Sequence, residues 1–265
     1  AMAELISVAA DRTADGPEED ELTALLGALQ AEAIPILVRA VPSLQQTELQ
    51  DHLSDALDRL VSAHPGSILP LLRAEDPMLA AEAARIVARL RITDAEPALT
   101  ELSQRPESVV RLAALEALAS LESAAGIKAL FAAMGDSDRE IRTAATDAIE
   151  RIRPPGASEQ LQQRLRAGVV RGYDDVEQMS FLKTCVAVCG DTIVTDLSQI
   201  LNARRWWGGR RPPAFRASAA RALGLVGTDE ARRELQKSAG DKTASVSSAV
   251  RAALRDLDSR EEGVR

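Results

Sequence analysis

Apolar residues follow a helical pattern along most of the chain, and that pattern itself recurs. Three nine-residue segments align without gaps; they begin at Leu79, Val110 and Ile141, which are 31 residues apart. Two more begin at Phe215 and Val246, again 31 apart. If the first residue of each segment is position 0, apolar residues recur at positions 0, 4, 7 and 8, the spacing of one face of an α-helix. The pattern predicts one amphipathic helix in each copy of a repeated unit.

A second apolar segment precedes each of these helices, and short polar turns that contain helix caps separate the two. Looser copies of the second helix begin at Leu49 and Phe181. The unit is therefore helix, turn, helix, turn, and about seven units fit between Ala33 and Leu257. Because one unit cannot bury its apolar face alone, the units must stack. The sequence predicts an all-α fold, a right-handed α-solenoid of about seven helix pairs.

The two ends of the chain differ in composition from the repeats. We expect residues 1–20 to form a flexible N-terminal segment or linker, 21–258 the solenoid, and 259–265 a charged C-terminal tail. Ala1 before Met2 resembles a cloning remnant, and with the polar stretch 11–20 it suggests one module of a larger polypeptide.

Composition supports a helical core and excludes several kinds of site. Aromatic residues make up 2% of the chain, whereas alanine and leucine are abundant, as in helical and unlike β-rich cores. With two Cys and two His, the chain favours neither a disulfide framework nor a bound metal or other cofactor. Cys185 and Cys189 occupy positions 4 and 8, so we expect them to be core residues. No apolar run approaches 18 residues, which predicts no membrane insertion, and we expect a cytoplasmic protein.

Two segments carry a family resemblance, Glu107 to Ala114 (ESVVRLAA) and Asp138 to Ala145 (DREIRTAA). They resemble the HEAT-repeat family, in particular the bacterial repeats of phycobilin-lyase type. The resemblance implies that the second helix of each pair lines a concave face. It also implies a polar ladder between repeats, in which Glu107 accompanies Arg111 and Asp138 accompanies Arg142.

The concave face is the first candidate site for a partner. Positions 2, 5, 6 and 9 lie opposite the core-facing stripe of each second helix, so we expect them to line the groove. In the central repeats these positions hold small or apolar residues together with charges. The candidate partner-binding residues are Arg85, Leu112, Leu115, Glu116, Asp147 and Glu150. A groove with an apolar floor and an acidic edge suits an amphipathic or basic helix of another protein. The alternative is that these residues are ordinary surface.

The segment 202–215 is the second candidate site. It holds both Trp residues of the chain, Trp206 and Trp207, and it lies in a window from 197 to 228 that has six Arg and no acid. The flanking cations are Arg204, Arg205, Arg210 and Arg211. Exposed Trp and Arg dominate many interfaces, which favours docking of an acidic protein. A structural cap over a neighbouring repeat and phosphate or nucleic-acid binding are the alternatives.

These observations favour a non-enzymatic scaffold or adaptor that binds one or more proteins along its concave face and the 202–215 segment. The other domains of a larger polypeptide are possible partners. One alternative is a nucleic-acid-binding protein similar to the helical-repeat DNA glycosylases, using the Arg/Trp segment. A net charge of −8 and only four Lys make nucleic acid the weaker expectation. A further alternative is an accessory subunit of lyase type.

Overall fold

The computed structural model describes residues 26–44, 47–168, 170, 173–202 and 213–262. Every regular element within these ranges is an α-helix or a short 3₁₀-helix, which confirms the all-α prediction. The α-helices alternate as first and second members of pairs, and seven pairs lie in the described ranges. The second helices begin within a few residues of the positions that the 31-residue period predicts.

The chain divides into two compact units, Ala1–Ala145 and Thr146–Arg265. The first contains the pairs α1 and α2, α3 and α4, and α5 and α6, followed by α7; α8 begins in this unit and ends in the second. The second continues with α9 to α14. The helix bounds are α1 Ile34–Ala40, α2 Thr47–Ala63, α3 Leu69–Leu72, α4 Pro77–Leu90, α5 Glu96–Leu102, α6 Ser108–Leu121, α7 Ala124–Ala133, α8 Arg139–Ile152, α9 Ala157–Ala167, α10 Asp175–Cys189, α11 Val194–Asn202, α12 Pro213–Val226, α13 Asp229–Lys237 and α14 Ala244–Glu262.

The core of each unit is built from the predicted positions of the second helices. In α6, positions 0, 4, 7 and 8 are Val110, Ala114, Ala117 and Leu118, and each is 0% exposed. Alanine at so many of these positions lets the second helices pack closely, α4 against α6 in the first unit and α12 against α14 in the second. The closest approach in the second unit is at Gly224, where an added β-carbon would lie 2.8 Å from the Cβ of Ala253.

Arginine–aspartate pairs join the second helices α6 and α12 to the turn of the next repeat. Arg111 at position 1 of α6 donates from Nε and Nη2 to the carboxylate of Asp136, both at 3.1 Å. Arg216, at the same position of α12, pairs with the carboxylate of Asp241 through its terminal nitrogens Nη1 and Nη2. Arg111 also donates from Nη1 to the carbonyls of Arg105 and Pro106, at 3.0 and 2.7 Å. One guanidinium thus donates to carbonyls of the turn before its own helix and pairs with a carboxylate in the turn of the next repeat.

The ladder partners differ from those that the family resemblance implied. Arg111 pairs with Asp136 of the following repeat, and Glu107 instead accepts from Arg105 at 3.2 Å. The reason is direction: a helical side chain near the N-terminus leans back toward that end, where the neighbouring turn lies. Arg142 donates to the carbonyls of Asp136 and Ser137, at 2.8 and 2.9 Å.

The repeat that contains α4 has no ladder arginine of its own, and an arginine in the turn of the next repeat takes its place. Position 1 of α4 is Ala80, and Arg105 stands where the other repeats have Asp136 or Asp241. Arg105 reaches back and donates from Nη1 to the carbonyl of Ala74 at 2.7 Å. The turn before α4 therefore receives the same kind of donor from the opposite direction.

The residue at position 12, counted from position 0 of the second helix, ends that helix in a left-handed backbone conformation (αL). Arg91, Glu122 and Arg153 have φ values of 52°, 53° and 47°, and Gly227 at the same position has 77°. This αL residue closes the helix, and glycine adopts it most easily. The three non-glycine positions therefore carry a conformational cost of about 1–2 kcal/mol each.

We expect Glu122→Gly to stabilise the protein by about 0.5–1 kcal/mol, because relief of the αL cost exceeds the added entropy of the unfolded chain. Urea denaturation would measure the change. Glu122→Ala is the matched control: it also removes the exposed ion pair with Arg91, 3.3 Å long, but it keeps a β-carbon. Equal effects of the two substitutions would contradict this explanation.

Candidate partner-binding surface

Only one narrow stripe of α4 and one of α6 reach solvent, because the two helices pack against each other and against the first helices beside them. In the first unit the stripe of α4 exposes Arg85, whose Nη1 lies 2.9 Å from Oε2 of Glu82. The stripe of α6 exposes Glu116 and leaves Leu112 half-buried. These three predicted residues, Arg85, Leu112 and Glu116, therefore lie on the exposed stripes of two helices that pack together.

Position 5 does not line this surface, and the prediction that Leu115 is an exposed groove residue is wrong. Leu115 is 2% exposed, and Ala84 and Thr146 at the same position are 0% and 4% exposed. Neighbouring elements therefore cover position 5, and for Leu115 these elements include α7. Position 6 is exposed instead, as Arg85, Glu116 and Asp147 show. The expected apolar floor is thus reduced to Leu112 and Ala88, which are both half-buried.

Leu115 lies at the base of a cavity of about 420 Å³ between α6 and α7. Its rim includes Arg105 in the turn between α5 and α6, Arg111 in α6, and Asp136 in the turn between α7 and α8. Both arginines pair with carboxylates, Arg105 with Glu107 and Arg111 with Asp136. The charges around this cavity are therefore balanced within the protein.

The acidic residues on the stripe of α2 were not among the predicted partner-binding residues. Asp51, Asp55 and Asp58 stand at positions 2, 6 and 9 of the loose copy that begins at Leu49, and this signal could have identified them. Arg89 of α4 binds both carboxylate oxygens of Asp58, at 2.7 and 2.5 Å. The hydrogen bond to Asp58, together with the charges of Glu82 and Asp55, raises the pKa of Arg89 despite its partial burial.

The exposed stripes of the first unit are consequently acidic. Arg85 and Arg89, the cations on α4, are both paired with carboxylates of the same surface. The carboxylates of Asp51 and Glu116 make no hydrogen bond or ion pair with the residues that the structure describes. The surface therefore presents unpaired negative charge beside the half-buried Leu112.

In the second unit, Asp147 and Glu150 lie on α8 in different surroundings. Asp147 is exposed, yet partial burial of its carboxyl, followed by the negative charge of Glu150, raises its pKa. Glu150 is half-buried and accepts a hydrogen bond of 2.6 Å from the hydroxyl of Thr184 on α10. Glu150 thus helps to join two helices, and Asp147 is the more available of the two carboxylates.

The second candidate site lies outside the described residues, except at its ends. The positions concerned are Arg204, Arg205, Trp206, Trp207, Arg210 and Arg211. Asn202 ends α11 and Pro213 begins α12, so this segment joins the two helices of one pair.

Cys185 and Cys189 are buried in α10, as expected for core residues. Burial raises the pKa of both thiols, and in Cys189 a contact of Sγ with the carbonyl of Ser158 opposes the shift. Thiols held in the protonated form are poor nucleophiles and poor metal ligands. Across the described ranges, no group of three or more His, Cys, Asp and Glu side chains is arranged to hold a metal ion.

Among the described residues, one segment is long and apolar enough to cross a membrane, by length and composition only. It is Asp175–Asn202. An 18-residue stretch of this segment has a mean hydropathy of 1.2, and 56% of that stretch is buried inside the protein. The segment consists of α10, a 3₁₀ turn at Gly190–Ile193 and α11. Core helices of a soluble protein have the same property, so the segment is weak evidence for a membrane span.

Comparison with solved structures found helical proteins of low sequence identity. An engineered protein is 19% identical with a TM-score of 0.42, and the alignment covers 72% of this chain and 95% of that one. Human deoxyhypusine hydroxylase is 18% identical with a TM-score of 0.40, covering 97% and 96%. The CpcE–CpcF complex of phycocyanin lyase from Nostoc is 17% identical with a TM-score of 0.41, covering 94% and 97%. Similarity this low assigns neither an activity nor a partner to this chain.

Comparison of the sequence with curated proteins gave no significant match. The HEAT repeats family matches two overlapping stretches, residues 67–130 and 106–172. These stretches contain α4, α6 and α8, with the 31-residue period and the ladder residues Arg111 and Asp136. The family match and the paired helices agree over residues 67–172, where the chain is similar to HEAT repeats.

Proposed function

We propose that this protein is a non-enzymatic interaction module that binds a basic, helical segment of a partner protein along the second helices of its first unit. The observation that carries the proposal is the unpaired acidic charge of Glu116 beside the half-buried Leu112 on α6, together with the unpaired Asp51 on the exposed stripe of α2. A helical partner could place apolar side chains on Leu112 and cations beside the carboxylates. Stacked helices provide extended, shallow surfaces of this kind.

The proposed function has a second binding segment, a compartment and a kind of partner. The Arg/Trp segment 202–215 would add contacts to an acidic partner, on the evidence of its composition alone. The free thiols of Cys185 and Cys189 agree with a reducing compartment, and we propose the cytoplasm. The partner could be a separate protein or another domain of a larger polypeptide.

We expect Glu116→Arg to weaken binding of a basic amphipathic peptide about fivefold to tenfold, because the substitution places like charges opposite each other. Fluorescence anisotropy with a labelled Lys/Leu peptide would measure the dissociation constant at low and at physiological salt.

The matched control is Glu101→Arg on the first helix α5, which makes the same charge change away from the stripe. Glu101 pairs with Arg73 at 3.4 Å, and both side chains are more than half exposed, so this pair contributes little to stability. If both substitutions weaken the peptide equally, the acidic stripe is not the binding surface. Preferential binding of a DNA duplex over the peptide would favour the nucleic-acid alternative.

A further inference from the structure

From Phe215 onward, helix α12 in the second unit is exposed only along one narrow stripe. From Phe215 to Gly224 every residue but Arg221 is buried, and the next exposed residue is Leu225, which is 40% exposed. The helix packs between α10 and α14 and rests on α11. Arg221 and Leu225 are four residues apart, so they lie on one face of a helix that its neighbours hold in place.

The two arginines of α12 have different roles. Arg216 is 7% exposed; it pairs with Asp241 and donates from Nε to the carbonyl of Leu201 at 2.8 Å. Arg221 is exposed and makes no hydrogen bond or ion pair with the described residues. An unpaired guanidinium is notable in a chain that has 40 acidic against 32 basic residues. Arg216 stabilises the fold, whereas Arg221 is left available.

The neighbouring helices extend this surface without supplying a counter-charge for Arg221. Lys183 lies on the exposed stripe of α10 and is also unpaired within the described residues. On α14, Ala252 is half-buried, and the exposed Arg255 and Asp256 balance each other. Because α10, α12 and α14 rest on α9, α11 and α13, their exposed stripes face the same side, away from the first helices. The stripe is therefore positive and contains an apolar residue.

We propose that this face of the second unit, centred on Arg221 and Leu225, binds an acidic amphipathic helix of a partner protein. Charge complementarity selects an acidic occupant, since the side chains of Arg221 and Lys183 have no partner among the residues that the structure describes. Leu225 and the small Ala252 provide an apolar strip on which a helix can rest. A nucleic acid requires several phosphate contacts, and the described stripe offers few cations within a protein of net charge −8. The face is distinct from the acidic stripe of the first unit.

The test uses the full chain and a labelled synthetic helix with Glu and Leu on one face. We expect Arg221→Glu to weaken binding of this peptide more than about tenfold, as for a central interface residue. Arg233→Glu on α13 is the matched control; it makes the same charge change on an exposed arginine of the first-helix layer and should change the affinity less than about twofold. Glu116→Arg should leave this binding unchanged, which separates the proposal from that for the first unit.

Two further probes and a second variant make the test decisive. The same peptide with Lys in place of every Glu and a short DNA duplex should both bind more weakly than the acidic peptide. Leu225→Ser, which leaves all charges in place, should weaken the acidic peptide by about threefold or more. Equal losses from Arg221→Glu and Arg233→Glu, or stronger binding of the DNA duplex, would overturn the proposal.

Discussion

Asp241→Ala should cost the protein about 3–5 kcal/mol of stability, the largest loss expected from any single ladder residue. Asp241 and Arg216 are 9% and 8% exposed at their side chains, so removal of the carboxylate leaves a buried guanidinium without its counter-charge. The carboxylate also accepts a hydrogen bond of 2.8 Å from the backbone of Thr243, just before α14 begins. The free energy of unfolding from urea titrations would measure the loss.

The control for this substitution is Asp258→Ala in the same unit. Asp258 pairs with Arg232 at 2.5 Å, but its side chain is 59% exposed, so water can replace it. We expect a cost below about 1 kcal/mol. Similar losses at Asp241 and Asp258 would show that burial of the Arg216 pair does not determine its contribution.

The same pair predicts how stability depends on pH. The hydrogen bond from Arg216 holds the pKa of Asp241 below its ordinary value, and the backbone amide of Thr243 acts in the same direction. A carboxyl with a lowered pKa in the folded state stabilises it fully above the unfolded value of about 3.9. That contribution is lost as the pH falls through the folded pKa. Asp241→Asn should therefore differ most from the parent protein at neutral pH, and the difference should shrink below about pH 4.

The fold could be predicted from the sequence because one period governs most of the chain. Positions 0, 4, 7 and 8 mark the core of each second helix, and Val110, Ala114 and Leu118 are buried as predicted. The exposed stripe was only partly predictable. A single helix shows which side faces its first-helix partner, but not how closely the next second helix approaches. Helix α4 packs closely against α6, Ala84 and Leu115 at position 5 are buried, and only position 6 is exposed in all three central repeats.

Long-range pairs were harder to predict than core positions for a similar reason. Glu107 is nearer to Arg111 in sequence than Asp136 is, and sequence spacing alone favours the local partner. The actual partner lies 25 residues away, in the next repeat. The contact of Arg105 runs in the opposite direction. Here the donor lies in the turn of the next repeat, and the acceptor is the carbonyl of Ala74 in the turn of the preceding repeat. Only the relative positions of successive repeats reveal these pairs.

Ala114→Leu should destabilise the protein by about 1–3 kcal/mol, because it adds three carbons to a contact that has no space for them. Ala114 is 0% exposed at position 4 of α6, and α4 packs closely against this helix. Alanine and leucine have nearly equal helix propensity, so the substitution measures packing and not helix formation. The shift in the midpoint of thermal unfolding gives the size of the effect.

Ala125→Leu is the control, since Ala125 is exposed on α7 and a larger side chain there meets solvent. We expect a change within about 0.5 kcal/mol for this variant. An unchanged midpoint for both variants would mean that the second helices can separate to admit a leucine. The close approach of α4 and α6 would then not be a rigid property of the repeat. A large loss at Ala114 alone would instead show that the alanine contacts fix the spacing of the second helices, and with it the set of residues that a partner can reach.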